Sequence, residues 1–106
     1  MATLGDTTLS EIVARLVVAV APEKIILFGS RATGAARQDS DYDLLLVKAE
    51  LDPSRRRTGK LYQLLWGIPN PVDLLWFTPD EVEQWAEAPQ RVAAPAVRRG
   101  VVVYEK

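Results

Sequence analysis

The chain has 106 residues, of which 48% are hydrophobic and 25% charged, and its 13 basic and 14 acidic side chains give a net charge of −1. This size predicts a single domain over residues 1–106, and the balanced charge argues against a dedicated nucleic-acid-binding protein. Because the chain contains no cysteine and no histidine, disulfides, zinc–thiolate sites and histidine general bases are excluded. The apolar runs are too short for a membrane span and the N-terminus lacks signal-peptide features, so we expect a cytoplasmic protein with no membrane association.

The first predicted element is a helix that begins at a capping box, Thr8 to Glu11, and ends before Pro22. A short helix is predicted over residues 31–36, and a longer one runs from Asp52 to Gly67 with Leu61, Leu64 and Leu65 on one face. Short apolar runs rich in β-branched residues predict four strands, at residues 24–28, 41–47, 71–77 and 101–104.

A second capping box, Thr78 to Glu81, predicts a helix after the third strand that turns Val82 and Trp85 inward. Residues 92–97 also follow a helical pattern, although Pro89 and Pro95 interrupt this stretch. Helices that alternate with strands in this order predict an α/β (α+β) fold, in which a small mixed β-sheet is flanked by helices.

Two aspartates on the second predicted strand form the candidate metal site. Asp41 and Asp43 lie two residues apart, so a strand would direct both carboxylates to the same face, with Cα atoms about 6.5 Å apart. Two ionised carboxylates at such a distance repel each other, and a divalent cation removes this repulsion. Mg²⁺ prefers oxygen ligands and commonly shares them with substrate phosphates.

Gly29 and Ser30 lie where the first strand passes into the short helix, and they form a candidate phosphate-binding segment. Glycine allows a ligand to approach the backbone closely, and amides at a helix N-terminus favour anions. The Ser30 hydroxyl either caps this helix or binds a phosphate oxygen. Arg31 either contacts the triphosphate or is an exposed helix residue.

Asp73 is the third candidate carboxylate and lies near the start of the third predicted strand. If this strand lies beside the second, Asp73 joins Asp41 and Asp43, where it would bind a second metal ion or act as a base toward an attacking hydroxyl. A phosphate-binding segment beside a metal site suits phosphoryl or nucleotidyl transfer, which depends on positioning and charge neutralisation.

This pattern resembles the nucleotidyltransferase superfamily with the DNA polymerase β fold, and in particular the minimal nucleotidyltransferases of bacteria and archaea. Their signature is Gly-Ser, ten residues, then Asp-x-Asp, and it is matched here by Gly29-Ser30 and Asp41-Tyr42-Asp43. Ser40 and Leu44 extend the match, the third family aspartate corresponds to Asp73, and residues 100–104 resemble the last family strand. Pro95 departs from the pattern, because it interrupts the helix expected before that strand.

The resemblance implies a nucleotidyltransferase (polymerase β palm-like) fold and transfer of a nucleoside monophosphate from a triphosphate, with ATP as substrate and two Mg²⁺ ions as cofactors. Asp41, Asp43 and Asp73 would be catalytic and would bind the metal ions, while Gly29, Ser30 and Arg31 would contact the nucleotide. Such transferases are often paired with a small helical protein of the HEPN class, in which case the transferase is the antitoxin of a toxin–antitoxin pair and adds AMP to its partner.

Two alternatives stay open. The chain could neutralise a HEPN partner by contact alone, or it could transfer a nucleotide to a small molecule such as an antibiotic. The three aspartates favour an enzyme over a contact-only protein, and a chain this short leaves no room for the helical domain that antibiotic transferases carry. We expect no direct nucleic-acid binding, whereas a homo- or hetero-oligomer is compatible with the sequence.

The remaining conspicuous residues have structural interpretations. Asp39 is interpreted as a turn residue, and the basic cluster of Arg55, Arg56, Arg57 and Lys60 as a solvated helix face. Three tryptophans are interpreted as core or interface residues rather than a base-stacking surface: Trp66, Trp76 and Trp85.

Overall fold

In a computed structural model of the chain, residues 7–34, 40–49, 59–86 and 100–106 are described. Within these ranges, helices alternate with strands in the order α1 (Thr7–Val20), β1 (Lys24–Phe28), α2 (Ser30–Thr33), β2 (Tyr42–Val47), α3 (Gly59–Leu64), β3 (Val72–Phe77), α4 (Pro79–Ala86) and β4 (Val101–Glu105). All four predicted strands are confirmed to within one residue at each end. The helical stretch predicted at residues 92–97, Asp39 and the cluster Arg55–Arg57 lie outside the described residues.

The four strands form one mixed sheet in the order β3-β2-β1-β4. The inner strand β1 runs antiparallel to both β2 and β4, and the other inner strand, β2, runs parallel to β3. The sequence predicts that Asp73 joins Asp41 and Asp43 if the third strand lies beside the second, and these two strands are neighbours in the sheet. The register aligns Asp43 with Asp73 across the parallel pair and with Phe28 across the antiparallel pair.

The two faces of the sheet carry separate apolar clusters, as the alternation of side chains along a strand requires. Helix α1 packs on one face, where the buried members are Leu9, Ile12, Leu16, Ile25, Leu27, Tyr42, Leu44, Leu46, Leu65, Val72 and Leu74. The other face carries a smaller cluster: Ile26, Leu45 and Val47, with Phe28, Leu75, Phe77 and Val82 partly buried against them. Asp43 and Asp73 belong to this second face, since they alternate with residues of the first.

One of the two predicted capping boxes is formed. At the start of α4, the Thr78 hydroxyl accepts a hydrogen bond from the Glu81 amide at 3.2 Å, and the Glu81 carboxylate accepts one from the Thr78 amide at 2.9 Å. The box predicted at Thr8 is wrong, because α1 begins at Thr7 and Thr8 lies inside it. The Glu11 carboxylate instead accepts a hydrogen bond from Arg15 Nε at 2.9 Å.

The end of α3 exposes apolar side chains that the sequence pattern placed inward. Leu65 is buried as predicted, but Leu64 is 40% exposed and Trp66 is 87% exposed. Arg15 fixes this turn to α1, since its Nη1 donates to the carbonyl oxygens of Leu64 at 3.0 Å and Trp66 at 2.9 Å. Trp66 is thus surface rather than core.

The other two tryptophans differ from Trp66. Trp76 is partly buried, and its indole donates to the Lys48 carbonyl oxygen at 3.1 Å. The side chain of Trp85 lies outside the described residues, whereas Val82 packs inward as predicted. Across the described ranges, no helix combines the length and the apolar character needed to cross a bilayer.

Candidate active site

Asp43 and Asp73 form the centre of the candidate site. They are register partners on the parallel strands β2 and β3, so their side chains leave the same face of the sheet from strands about 4.8 Å apart. The carboxyl group of Asp73 lies close enough to that of Asp43 to raise its pKa. Asp43 is half-buried and Asp73 is exposed, so the pair is accessible from one side.

The surroundings of Asp43 favour its neutral form. Burial raises the pKa of the Asp43 carboxyl above its ordinary value, and the hydrogen bond to Asp73, the charge of Asp73 and the charge of Asp41 raise it further. All of these effects act in the same direction. Among the described residues, negative charge is therefore concentrated at this point of the sheet.

Asp41 is the outlying member of the acidic group. It was predicted as the first residue of the second strand, but β2 begins one residue later, at Tyr42, so Asp41 lies immediately before the strand and is exposed. Its charge nevertheless acts on Asp43. Within the described ranges, no three acidic side chains are arranged to hold a metal ion on their own. The structure thus provides a close pair of carboxylates with a third one nearby. A metal ion bound there would need further oxygen ligands from the substrate or from water.

Gly29 brings the backbone of the β1–α2 junction against this pair. Its φ of 73° and ψ of −156° lie in a region that is essentially restricted to glycine. A Cβ atom built on Gly29 would overlap Asp43 Oδ2. Two features therefore require glycine at this position: the backbone conformation and the close approach of a carboxylate.

Ser30 is the first residue of α2, and Gly29 occupies the N-cap position, so Ser30 does not cap this helix. Of its two predicted roles, contact with a phosphate oxygen stays a prediction. Because α2 has only four residues, its dipole can add little to anion binding. The local advantage for a ligand lies in the open backbone of Gly29, which is exposed.

Arg31 is not a simple exposed helix residue, because its side chain contacts Tyr42 and Ser40. Its guanidinium carbon lies 3.8 Å from the centroid of the Tyr42 ring. Its Nε and Nη2 donate to the Ser40 carbonyl oxygen at 3.1 and 2.8 Å, and Asn70 Nδ2 lies 3.4 Å from the same oxygen. Contact between Arg31 and a nucleotide stays a prediction.

Sequence reasoning missed the contribution of Tyr42 and Asn70 to this arrangement. Tyr42 lies between the two aspartates, and the alternation of a strand directs it to the opposite face, where it is 2% exposed. The alternation along the strand could therefore have predicted from the sequence that Tyr42 lies on the face opposite the aspartates. The approach of Asn70 to a backbone carbonyl 30 residues away left no pattern in the sequence.

The family model described as "Polymerase beta, Nucleotidyltransferase" matches residues 10–106 of the chain. A crystal structure of a proposed nucleotidyltransferase from Sulfolobus solfataricus is similar in fold, with a TM-score of 0.63 and 22% identity over 93% of this chain and 78% of that one. A toxin–antitoxin structure solved with AMP-PNP is similar to the same degree, with a TM-score of 0.64 and 22% identity over 92% of this chain and 73% of that one. No curated protein sequence matches the chain significantly.

Proposed function

Because this chain belongs to the nucleotidyltransferase family of the polymerase β type, we propose that it transfers AMP from ATP to a hydroxyl group of a partner protein, with pyrophosphate as the leaving group. The observation that carries the proposal is the alignment of Asp43 with Asp73 on adjacent parallel strands, close to Asp41 and to the open backbone of Gly29. A catalytic pair on strands is held more rigidly than one on loops.

The acidic group fits Mg²⁺ by its chemistry. All of its donors are carboxylate oxygens, and the pKa of Asp43 is raised first by burial and then by Asp73 and Asp41, whose negative charge a divalent cation would offset. Mg²⁺ commonly takes one or two carboxylates and completes its shell with water and phosphate oxygens, so a ready-made cage of three carboxylates is not needed. When bound, the ions would neutralise the triphosphate and stabilise charge on the leaving pyrophosphate.

Each residue of the site then has a distinct role in our proposal. Asp41 and Asp43 hold the metal ions, and the exposed Asp73 accepts the proton of the attacking hydroxyl or contributes to the second ion. Gly29 lets the Asp43 carboxyl group approach the β1–α2 backbone, which a side chain at residue 29 would prevent, so metal ions held by Asp43 would lie beside the segment that contacts the phosphates. Ser30 is next to Gly29 and donates its hydroxyl hydrogen to a phosphate oxygen.

A protein acceptor is supported by the similarity to a toxin–antitoxin structure and by exposed apolar residues where α1 meets the turn after α3. We call these residues the apolar patch: Val18 and Leu64, which line one cleft, and Trp66, which lies two residues beyond Leu64. Val18 and Trp66 are each 87% exposed. Exposed apolar groups of this size are typical of protein interfaces. We propose that the partner is a small helical protein of the HEPN class and that the chain is its antitoxin.

The test is label transfer from ATP labelled at the α-phosphate, in the presence of Mg²⁺ and the candidate partner. We expect a labelled partner band with the wild type and none with Asp43→Asn, because the variant lacks a metal ligand. Asp80→Asn is the matched control, since Asp80 is an exposed aspartate at the start of α4, and it should label the partner like the wild type. Transfer by a folded Asp43→Asn protein would contradict the assignment of the site.

A second candidate function, neutralisation by contact alone, is favoured by the position of the apolar patch. The patch is built on α1 and the turn after α3, and α1 packs on the sheet face opposite Asp43. Binding through it would not require the acidic group. If the wild type labels nothing but still binds its partner, and Asp43→Asn binds equally while Trp66→Ala does not, the contact-only function replaces the transferase.

A further inference from the structure

The segment that carries Asp41 is held from outside β2. Asp41 precedes the first residue of the strand, so its direction depends on the anchoring of its neighbours, Ser40 and Tyr42. The Tyr42 amide donates to the Pro71 carbonyl oxygen at 2.9 Å, which fixes the end of the segment that leads into β2. On the other side, the Ser40 carbonyl oxygen accepts two hydrogen bonds from Arg31.

We propose that Arg31 is a positioning residue that directs Asp41 toward Asp43, because its guanidinium stacks on the ring of Tyr42 and holds the Ser40 carbonyl oxygen through two hydrogen bonds. The inference rests on the proposed function, in which Asp41 is a metal ligand. It differs from the expectation that Arg31 contacts the triphosphate.

The geometry of the guanidinium explains why an arginine is needed. Its planar fork points two N–H groups at one carbonyl oxygen, at 3.1 and 2.8 Å, while its face lies 3.8 Å from the Tyr42 centroid. A lysine is a point charge on a flexible stem and cannot make the paired and stacked contacts together. Tyr42 is a firm support, because it is 2% exposed within the cluster under α1.

The link from Arg31 to the acidic group is short. Ser40, whose carbonyl is clamped, is bonded directly to Asp41, and Tyr42 leads directly to Asp43. A rotation of the peptide at Ser40 would therefore turn Asp41 while leaving Asp43, which is held in the sheet against Phe28 and Asp73, in place. Residues that orient a metal ligand commonly change metal affinity by about 10–100-fold when they are replaced.

The experiment compares Arg31→Lys and Arg31→Gln with the wild type. Arg15→Lys is the matched control, because Arg15 also donates to two backbone carbonyls, Leu64 and Trp66, away from the site.

Two readouts are measured on each folded protein. The amide and carboxyl chemical shifts of Asp41, recorded without metal, report its orientation, and titration with Mn²⁺ in the absence of nucleotide reports metal affinity. We expect both Arg31 variants to change the Asp41 shifts and to weaken Mn²⁺ binding about 10-fold. ATP binding without metal should stay within about twofold of the wild type, since a positioning residue does not touch the phosphates.

The outcomes separate this proposal from the proposed function. Unchanged Asp41 shifts in both Arg31 variants would overturn the positioning role, and so would a loss of metal-free ATP binding as large as the loss of Mn²⁺ binding, which would return Arg31 to the triphosphate. A wild type that shows the expected Asp41 dependence on Arg31 but transfers no AMP supports the positioning role and refutes the transferase.

Discussion

Replacing Gly29 with alanine tests the packing of backbone against carboxylate at the centre of the site. The added methyl group meets two obstacles, a backbone conformation that side chains rarely adopt and an overlap with Asp43 Oδ2. Gly34 provides the matched control, because its φ of 80° is similar but a Cβ there would contact none of the described residues within 4 Å. Both variants therefore place a side chain at positive φ, but only Gly29→Ala adds a collision.

The expected costs follow from these two terms. At Gly34, where ψ is 5°, alanine in the left-handed region costs about 1 kcal/mol. At Gly29, where ψ is −156°, the conformation costs about 2 kcal/mol, and moving the Asp43 side chain off its preferred rotamer adds about 1 kcal/mol. We expect Tm to fall by about 4 °C for Gly34→Ala and about 12 °C for Gly29→Ala, since 1 kcal/mol corresponds to about 4 °C in a domain of this size.

Urea unfolding of both variants, alone and in an Asp43→Ala background, separates strain from collision. Asp43→Ala removes the carboxyl group but keeps its Cβ, which would lie 3.5 Å from the new methyl group, an ordinary contact. Gly29→Ala should then cost about 1 kcal/mol less, whereas the cost of Gly34→Ala should not change. If Gly29→Ala costs no more than Gly34→Ala, or shows no coupling to residue 43, the close approach described for the site is wrong.

Three further changes test other parts of the structure. Asp43→Asn should raise Tm at pH 7 by about 4 °C, because it removes about 1 kcal/mol of repulsion between ionised carboxylates. Since the folded state raises the pKa of Asp43, this repulsion grows as pH rises above the unfolded pKa, and the gain should vanish near pH 3. Tyr62→Phe should cost about 1 kcal/mol in urea unfolding, because the Leu74 amide donates to the Tyr62 hydroxyl at 3.0 Å. Thr78→Ala should cost about 1 kcal/mol by the same measurement, because the Glu81 amide loses its capping oxygen.

Each of these changes has a result that would contradict it. A lower Tm for Asp43→Asn at pH 7 would mean that the ionised carboxylate is stabilised in the fold. An unchanged midpoint for Tyr62→Phe would mean that water replaces the hydroxyl at the Leu74 amide. A cost for Thr78→Ala no larger than that of Ser10→Ala, a substitution inside α1, would show that the capping hydrogen bonds do not contribute.

The strands were predictable because burial on both faces leaves a direct trace in the sequence. Residues 24–28 and 42–47 are nearly continuous apolar runs, and the bounds of β1 match the prediction. Helix starts were harder to predict, since a capping box forms only if its glutamate reaches the N-cap residue rather than another partner. Glu11 pairs with Arg15, whereas Glu81 reaches Thr78, although both boxes have the same spacing. Only Thr78 is followed by proline, which fixes the first helical position.

The acidic pair could be predicted from the sequence only by assuming that the second and third strands are neighbours. The sequence places Asp43 and Asp73 on strands but does not show that these strands are neighbours, and the parallel register that aligns them is a tertiary feature. The contacts of Arg31 could not be predicted for a related reason. Its acceptor is a backbone carbonyl, which every residue possesses, so no residue type marks the partner.

The alternation of β2 explains how the fold tolerates a repulsive acidic pair. On one face the strand places Tyr42, Leu44 and Leu46 in the core, all at most 2% exposed, and on the other it presents Asp43. In a loop, two carboxylates would relieve their repulsion by moving apart. Here such a movement would pull buried side chains out of the core, at about 1.5–3 kcal/mol for each large apolar residue. Because this cost exceeds a repulsion of about 1 kcal/mol, the core keeps the two carboxylates close together.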